Sequence, residues 1–219
     1  PLLLAFLLRR RGWQVLYLGA NVPAERLETT VAAARPQLAI LAAQRLHTAA
    51  TLVEAASVLQ QEQVPLAYGG LIFNLVPALR MRVAGHFLGE ALEAAPQMVE
   101  SLMTALHPVP AAEEPPAIYQ VALDRFQERQ PHIEAHLSRG LSSDALANRE
   151  IGLSIRAALA LGDVRFLGPD IEWVRALLKN YQVPDESLDT YLRTYHQVAA
   201  EQLGKENPVV EWLGERLSR

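Results

Sequence analysis

The sequence predicts an α/β unit followed by an all-α unit, and three observations carry that prediction. Short β-rich runs at Trp13–Leu18, Gln37–Ala42, Pro65–Tyr68 and His86–Leu88 alternate with helical periods over the first hundred or so residues. The stretch His107–Pro116 then holds four prolines in ten residues, the composition of a semi-rigid linker. Beyond it only helical periods occur. The chain therefore divides into residues 1–106, 107–116 and 117–219. Strands alternating with helices across short loops specify a parallel, doubly wound sheet of flavodoxin-like type, and the tail of the chain specifies a helical bundle.

Each element has a local reason. Leu2–Arg11 is apolar all round, as a buried helix is, and closes on Arg9–Arg11, where cations favour a helix C-terminus, with Gly12 as its stop. Trp13–Leu18 reads as a strand covered on both faces, and Gly19 as a tight turn behind it. Pro23 and Glu25 open a helix that ends near Pro36. Gln37–Ala42 is a buried strand, Leu46–Gln63 a helix, and Pro65–Tyr68 a strand that stops at Gly69-Gly70. A helix at Asn74–Met81, a minimal strand near His86–Leu88 and a helix at Glu90–Ala105 complete the first unit. In the second, Ala117–Leu137 is a helix kinked or broken at Pro131. Ser142 or Ser143 caps a helix running to Gly162, and Pro169-Asp170 start another. Pro184-Asp185 open a long helix carrying Leu188, Tyr191, Leu192, Tyr195 and Val198 on one stripe, stopped by Gly204. Pro208–Leu217 is the last helix.

Composition excludes several classes. A net charge of −4 argues against this chain gripping nucleic acid by itself. The absence of cysteine removes disulfide frameworks, thiolate metal sites and cysteine nucleophiles, and points weakly to a cytoplasmic protein. Pro1–Leu8 is apolar but far too short to cross a bilayer, so no membrane is expected. No G-x-S-x-G elbow, Walker loop, G-x-G-x-x-G or H-E-x-x-H occurs, and Glu113-Glu114 lie in the linker. The reading is of a protein that is not an enzyme. The chain begins without Met inside a helix pattern, so it is expected to be a fragment of a longer protein.

Doubly wound sheets bind ligands beyond the carboxyl ends of their strands, which fall here at Gly19, Ala42–Leu46, Gly69-Gly70 and Gly89. The run Leu8–Gly19 with Asn21-Val22-Pro23, then Leu41–Gln44 and Tyr68-Gly69-Gly70, resembles the cobalamin-binding Rossmann-like domain of corrinoid proteins. It is most similar in wording to the domain of regulators that also carry a MerR-type DNA-binding module, and the resemblance covers roughly residues 1–105. It implies cobalamin as cofactor, with Gly19, Ala42, Gln44, Tyr68, Gly69, Gly70 and Gly89 lining its site. It also implies that the D-x-H-x-x-G loop, whose histidine ligates cobalt, lies upstream of Pro1; no metal ligand is expected within this chain. The family places a serine and then a leucine where Ala42 and Gln44 stand, and losing that hydroxyl costs about 1 kcal/mol of ligand binding. The resemblance implies a non-enzymatic sensor with a corrinoid as partner, open to homo-oligomers and to an upstream DNA-binding domain. Two alternatives stay open: a cofactor-free interaction module, favoured by Ala42 and Gln44, and a corrinoid carrier of a methyltransferase system.

Other residues have plainer readings. His47 reads as a solvent-facing helix start rather than a groove residue, and Arg9–Arg11 as a helix terminus rather than an anion patch. His132 and His136 have i,i+4 metal spacing without an acidic partner. His196 reads as a surface or half-buried helix residue, and Trp173 and Trp212 as bundle core. In flavodoxin-like order, Trp13–Leu18 and Gln37–Ala42 would flank a first strand that this sequence does not contain, leaving a gap of about 10 Å between them.

Overall fold

The computed structural model describes residues 1–20, 22, 24–105, 108–140, 145–180 and 185–218. The chain divides into two compact units, Pro1–Glu113 and Glu114–Arg219. The first holds a small parallel sheet with helices; the second is helical throughout.

In the first unit α1 spans Leu2–Arg10 and ends as its sequence dictates. Gly12 takes φ +88°, its amide donates to Arg9 O (3.0 Å) and the Trp13 amide donates to Leu8 O (3.2 Å). This pair of bonds closes the last turn around a left-handed residue that only glycine adopts cheaply. Helix α2 covers Ala24–Ala34; Asn21 and Pro23, on which its expected start rests, lie outside the described residues. Strand β1 (Ala39–Ala42) pairs in parallel with β2 (Leu66–Gly69), and β2 with β3 (His86–Phe87), in the order β1-β2-β3. Between the strands lie α3 (Leu46–Gln61), α4 (Leu71–Leu75) and a 3-10 turn at Pro77–Arg82; α5 (Ala95–Thr104) follows β3.

Packing explains the layering. Leu4 and Leu8 of α1, Ala67 of β2, Leu88, and Ala95 and Val99 of α5 form one buried cluster, with Trp13, Val15, Leu38 and Ile40 against it. Each buried Leu there contributes about 1.5–3 kcal/mol. A second layer comes from α2 and α3, which pack together, with α3 on β1 and β2. Tyr68 and Phe73 are fully buried beneath the strand ends.

Four expectations for the first unit need correction. The first helix is not buried all round: Leu4, Ala5 and Leu8 are buried, but Leu2, Leu3 and Phe6 are exposed. Trp13–Leu18 is in no ladder among the described residues, and its Leu16 is 65% exposed. A β-rich run is a strand only when a neighbour accepts its backbone bonds, and β1 does not. Within β1, Ala39 N donates to Pro65 O (2.9 Å) and Ala43 N to Gly69 O (3.0 Å). The amides of Ile40 and Ala42 therefore point to the other edge, which carries no ladder among the described residues. The helix expected at Asn74–Met81 is displaced: α4 starts directly after Gly70 and stops at Val76, because Pro77 disfavours helical backbone before it and brings no amide. The last helix of the unit starts five residues later than expected, with Pro96 in its first turn, where proline is tolerated.

The second unit contains α6 (Ala117–Gly140), α7 (Ala145–Ala160), a 3-10 turn (Val164–Leu167), α8 (Gly168–Asn180), α9 (Asp185–Leu203) and α10 (Pro208–Leu217). Helix α6 runs through Pro131 without a break. It packs on α7 and α9, burying Phe126, Ile133 and Leu137 with Ile155, Leu192 and Tyr195. The expected stripe of α9 is the buried one: Leu188, Tyr191, Leu192 and Tyr195 are buried and Val198 is partly so. Gly204 ends α9 at φ +88°, and Asn207 caps α10 by accepting from the Val209 amide (3.0 Å). Ser142, Ser143 and Pro184 lie outside the described residues. Trp173 is not core: it is 53% exposed on α8. Trp212 is half-buried with the Arg216 guanidinium 5.6 Å from its ring centre.

Candidate functional site

The register of the sheet gathers most of the expected residues at one end. Ala42 faces Gly69 across the β1–β2 ladder, and the Leu88 amide donates to Tyr68 O (2.8 Å), which brings Gly89 up beside the end of β2. Gly19 follows a stretch outside the sheet, so no ladder draws it into this row.

The glycines differ in what demands them. Gly70 has φ +118°, and a Cβ there would overlap the Ala43 carbonyl and lie 2.9 Å from Ala43 N. Its small size is an internal need of the β1–β2 end. Gly19 and Gly89, at φ +87° and +93°, are required by backbone conformation alone, with open space where a side chain would go. Gly69 has neither constraint. Its backbone is ordinary strand, and nothing lies within 4 Å of where its Cβ would sit. The fold accepts a larger residue there; the bare surface beside Ala42 and Gly89 is the opening.

The polar partners of that opening are partly committed. Gln44 Oε1 accepts from the Leu71 amide (3.3 Å), one of the unsatisfied donors of the first turn of α4. Tyr68 is buried: its hydroxyl donates to Arg80 O (3.2 Å), and its ring meets Phe73 edge-on at 4.8 Å. Burial pushes its pKa up to about 12, with the Arg80 charge opposing the shift. The Tyr68 side chain thus serves the core. His47 is partly buried in the first turn of α3, not solvent-facing.

A cluster that the sequence reading missed lies beside β3. Arg80 reaches Glu90 Oε1 (2.9 Å), donates from Nε to Phe73 O (3.0 Å) and lies 4.0 Å from the Phe87 ring centre. Asn74 Nδ2 donates to Glu90 O (3.1 Å), while Asn74 Oδ1 is buried with no hydrogen-bond partner among the described residues. The amide oxygen is thus an acceptor left unsatisfied among the described residues. No periodicity or motif links Asn74, Arg80 and Glu90; only the short α4 and the 3-10 turn behind it bring them together.

The remaining candidates disperse. Arg9 donates to Val15 O (2.7 Å), Arg11 pairs with Glu100 (2.9 Å) and Arg10 sits 5.8 Å from the Phe6 ring centre, so the basic run is used inside its own unit. His136 Nδ1 lies 2.9 Å from His132 O along α6, and no group of three or more metal-ligating side chains occurs among the described residues. His196, half-buried, lines a groove of about 530 Å³ in the helical unit with Lys205 and Glu211. A second groove there, about 400 Å³, is flanked by Ile118, Val121 and Arg125. No described helix is long and apolar enough to cross a membrane.

No protein-family model matches this chain, and no curated protein matches it at a significant level.

Proposed function

We propose that the protein is a non-enzymatic, cobalamin-binding sensor whose first unit holds the corrinoid at the strand ends and whose helical unit carries the response. The observation that carries this reading is the open space beside Gly69. A strand residue with ordinary backbone and no internal neighbour has no structural reason to lack a side chain, whereas a ligand tail lying along Gly69 and Gly89 supplies one. Gly89 then gives the tail a second side-chain-free wall, and Asn74 Oδ1 a buried acceptor for its donors. No cobalt ligand is assigned among these residues. When bound, the corrinoid would supply a metal centre able to exchange a ligand, while the residues here would only hold and orient it.

The sheet supports the same reading. Trp13–Leu18 and β1 do not pair, and the Ile40 and Ala42 amides point to the edge that carries no ladder among the described residues. A flavodoxin-like sheet lacking its central strand would show this arrangement. The test is gel filtration of the protein in its full length after incubation with hydroxocobalamin. Corrinoid absorbance comigrating with the protein is the expected result; a colourless protein peak defeats the proposal.

A second reading has its own observation. Ala42 offers no hydroxyl, and Gln44 is already bonded to Leu71. A strand end with those two changes suits a module that kept the fold and lost the cofactor, and this is the reading a colourless peak would leave.

A further inference from the structure

The proline-rich segment is held at two points near its C-terminal end, Glu113 on the first unit and Pro115 on the second. On the side of the first unit, the Glu113 amide donates to Met81 O (2.8 Å). Arg82 Nη1 donates to Glu113 O (3.3 Å) and lies 3.6 Å from Glu113 Oε2. The Arg82 side chain is only 13% exposed while the Glu113 side chain is 59% exposed, so the clasp is anchored on its arginine side and open to solvent on its carboxylate side. On the side of the second unit, Pro115 lies against Gly162: a Cβ on Gly162, at φ +78°, would come within 2.7 Å of Pro115 Cβ. Glu113 belongs to one unit and Pro115 to the other. Only Glu114 stands between the two fastenings.

The first fastening is built on the same 3-10 turn as the site. Met81 and Arg82 hold Glu113, and the residue before them, Arg80, is held by Glu90, Phe73 and Phe87 at the strand ends. Six residues of a 3-10 turn starting at a proline have little freedom to move one end without the other. We infer that the Glu113 clasp is a conformational coupling device: the Arg80–Glu90 pair at the strand ends sets how firmly Arg82 and Met81 hold the strap. The strap in turn sets how firmly the chain is held on the first unit at Glu113. A ligand that pins Glu90 firms the strap, and firming the strap favours the ligand by the same factor. This deepens the sensor reading, on which its ligand arm rests; the strap itself does not.

The experiment is amide hydrogen exchange at Glu113 in the intact chain, compared among wild type, Arg82→Gln and Glu90→Gln. Arg82→Gln is expected to speed exchange about fivefold, the factor that ~1 kcal/mol of lost pairing gives. Glu90→Gln, which touches no atom of the strap, is expected to speed it at least twofold. An unchanged rate in Glu90→Gln overturns the coupling, even if Arg82→Gln responds. Glu90 is exposed and Arg82 partly buried, and unchanged circular dichroism with unchanged exchange in α3 shows that both variants fold. Adding hydroxocobalamin should slow Glu113 exchange in wild type, and Arg82→Gln should weaken the binding of that probe by a matching factor. Binding with no change at Glu113 overturns the coupling. Failure to bind strikes the sensor reading alone, because the Glu90→Gln comparison decides the strap without any ligand.

Discussion

Two adjacent glycines separate structural need from ligand need. Gly70→Ala forces a left-handed residue and drives a Cβ into the Ala43 carbonyl, so it should destabilise the first unit by about 2–4 kcal/mol in chemical denaturation. Gly69→Ala meets nothing and should change stability by less than about 0.5 kcal/mol. The sequence treats this pair as one motif; only coordinates show that Ala43 claims the second glycine and leaves the first open. Ala42→Ser restores the hydroxyl that the resemblance expects and should tighten corrinoid binding about fivefold, measured by absorbance titration. Tyr68 makes a pH prediction. Its neutral form is favoured in the folded state, so its contribution is whole below pH 10 and is lost as pH rises through about 12. A difference of that size removes roughly 2 kcal/mol from the first unit by the end of the window. Burial also raises the Tyr195 hydroxyl in the second unit, aided by Tyr191 and Glu134. Absorbance at high pH should therefore show tyrosines that titrate late, one fewer in Tyr68→Phe.

Elements were legible where the signal is local and the partner is inside the chain. The stop of α1 at Gly12, the cap of α10 at Asn207 and the buried stripe of α9 all follow from neighbours three or four residues away. Asn207→Ala should accordingly cost about 1 kcal/mol of helical-unit stability in a denaturant midpoint. Trp13–Leu18 fails for the opposite reason. Its β-rich composition is real, yet a strand is completed by a neighbour, and no described segment lies alongside to pair with it. The run at Asn74–Met81 fails because one proline outweighs helical periodicity, and α4 is set by the turn at Gly70 and the Gln44–Leu71 bond. Trp173 fails because a large apolar side chain need not be buried on a helix that has another face to offer.

At the scale of the whole molecule, the division into an α/β unit and a helical unit could be read from the change of pattern and the proline run between them. What could not be read is that this run is tethered at Glu113 and Pro115, since neither Arg82 nor Gly162 bears any sequence relation to it. The candidate site was legible in its row of strand ends, Ala42, Gly69 and Gly89, and illegible in the cluster of Asn74, Arg80 and Glu90 beside β3. The most direct measurement is corrinoid absorbance retained by the full-length protein in wild type and in Gly69→Val, each checked for an unchanged denaturation midpoint. A coloured wild type and a colourless, equally stable Gly69→Val is the predicted result. A colourless wild type, or a Gly69→Val protein that keeps its full colour, would contradict a corrinoid tail lying against Gly69.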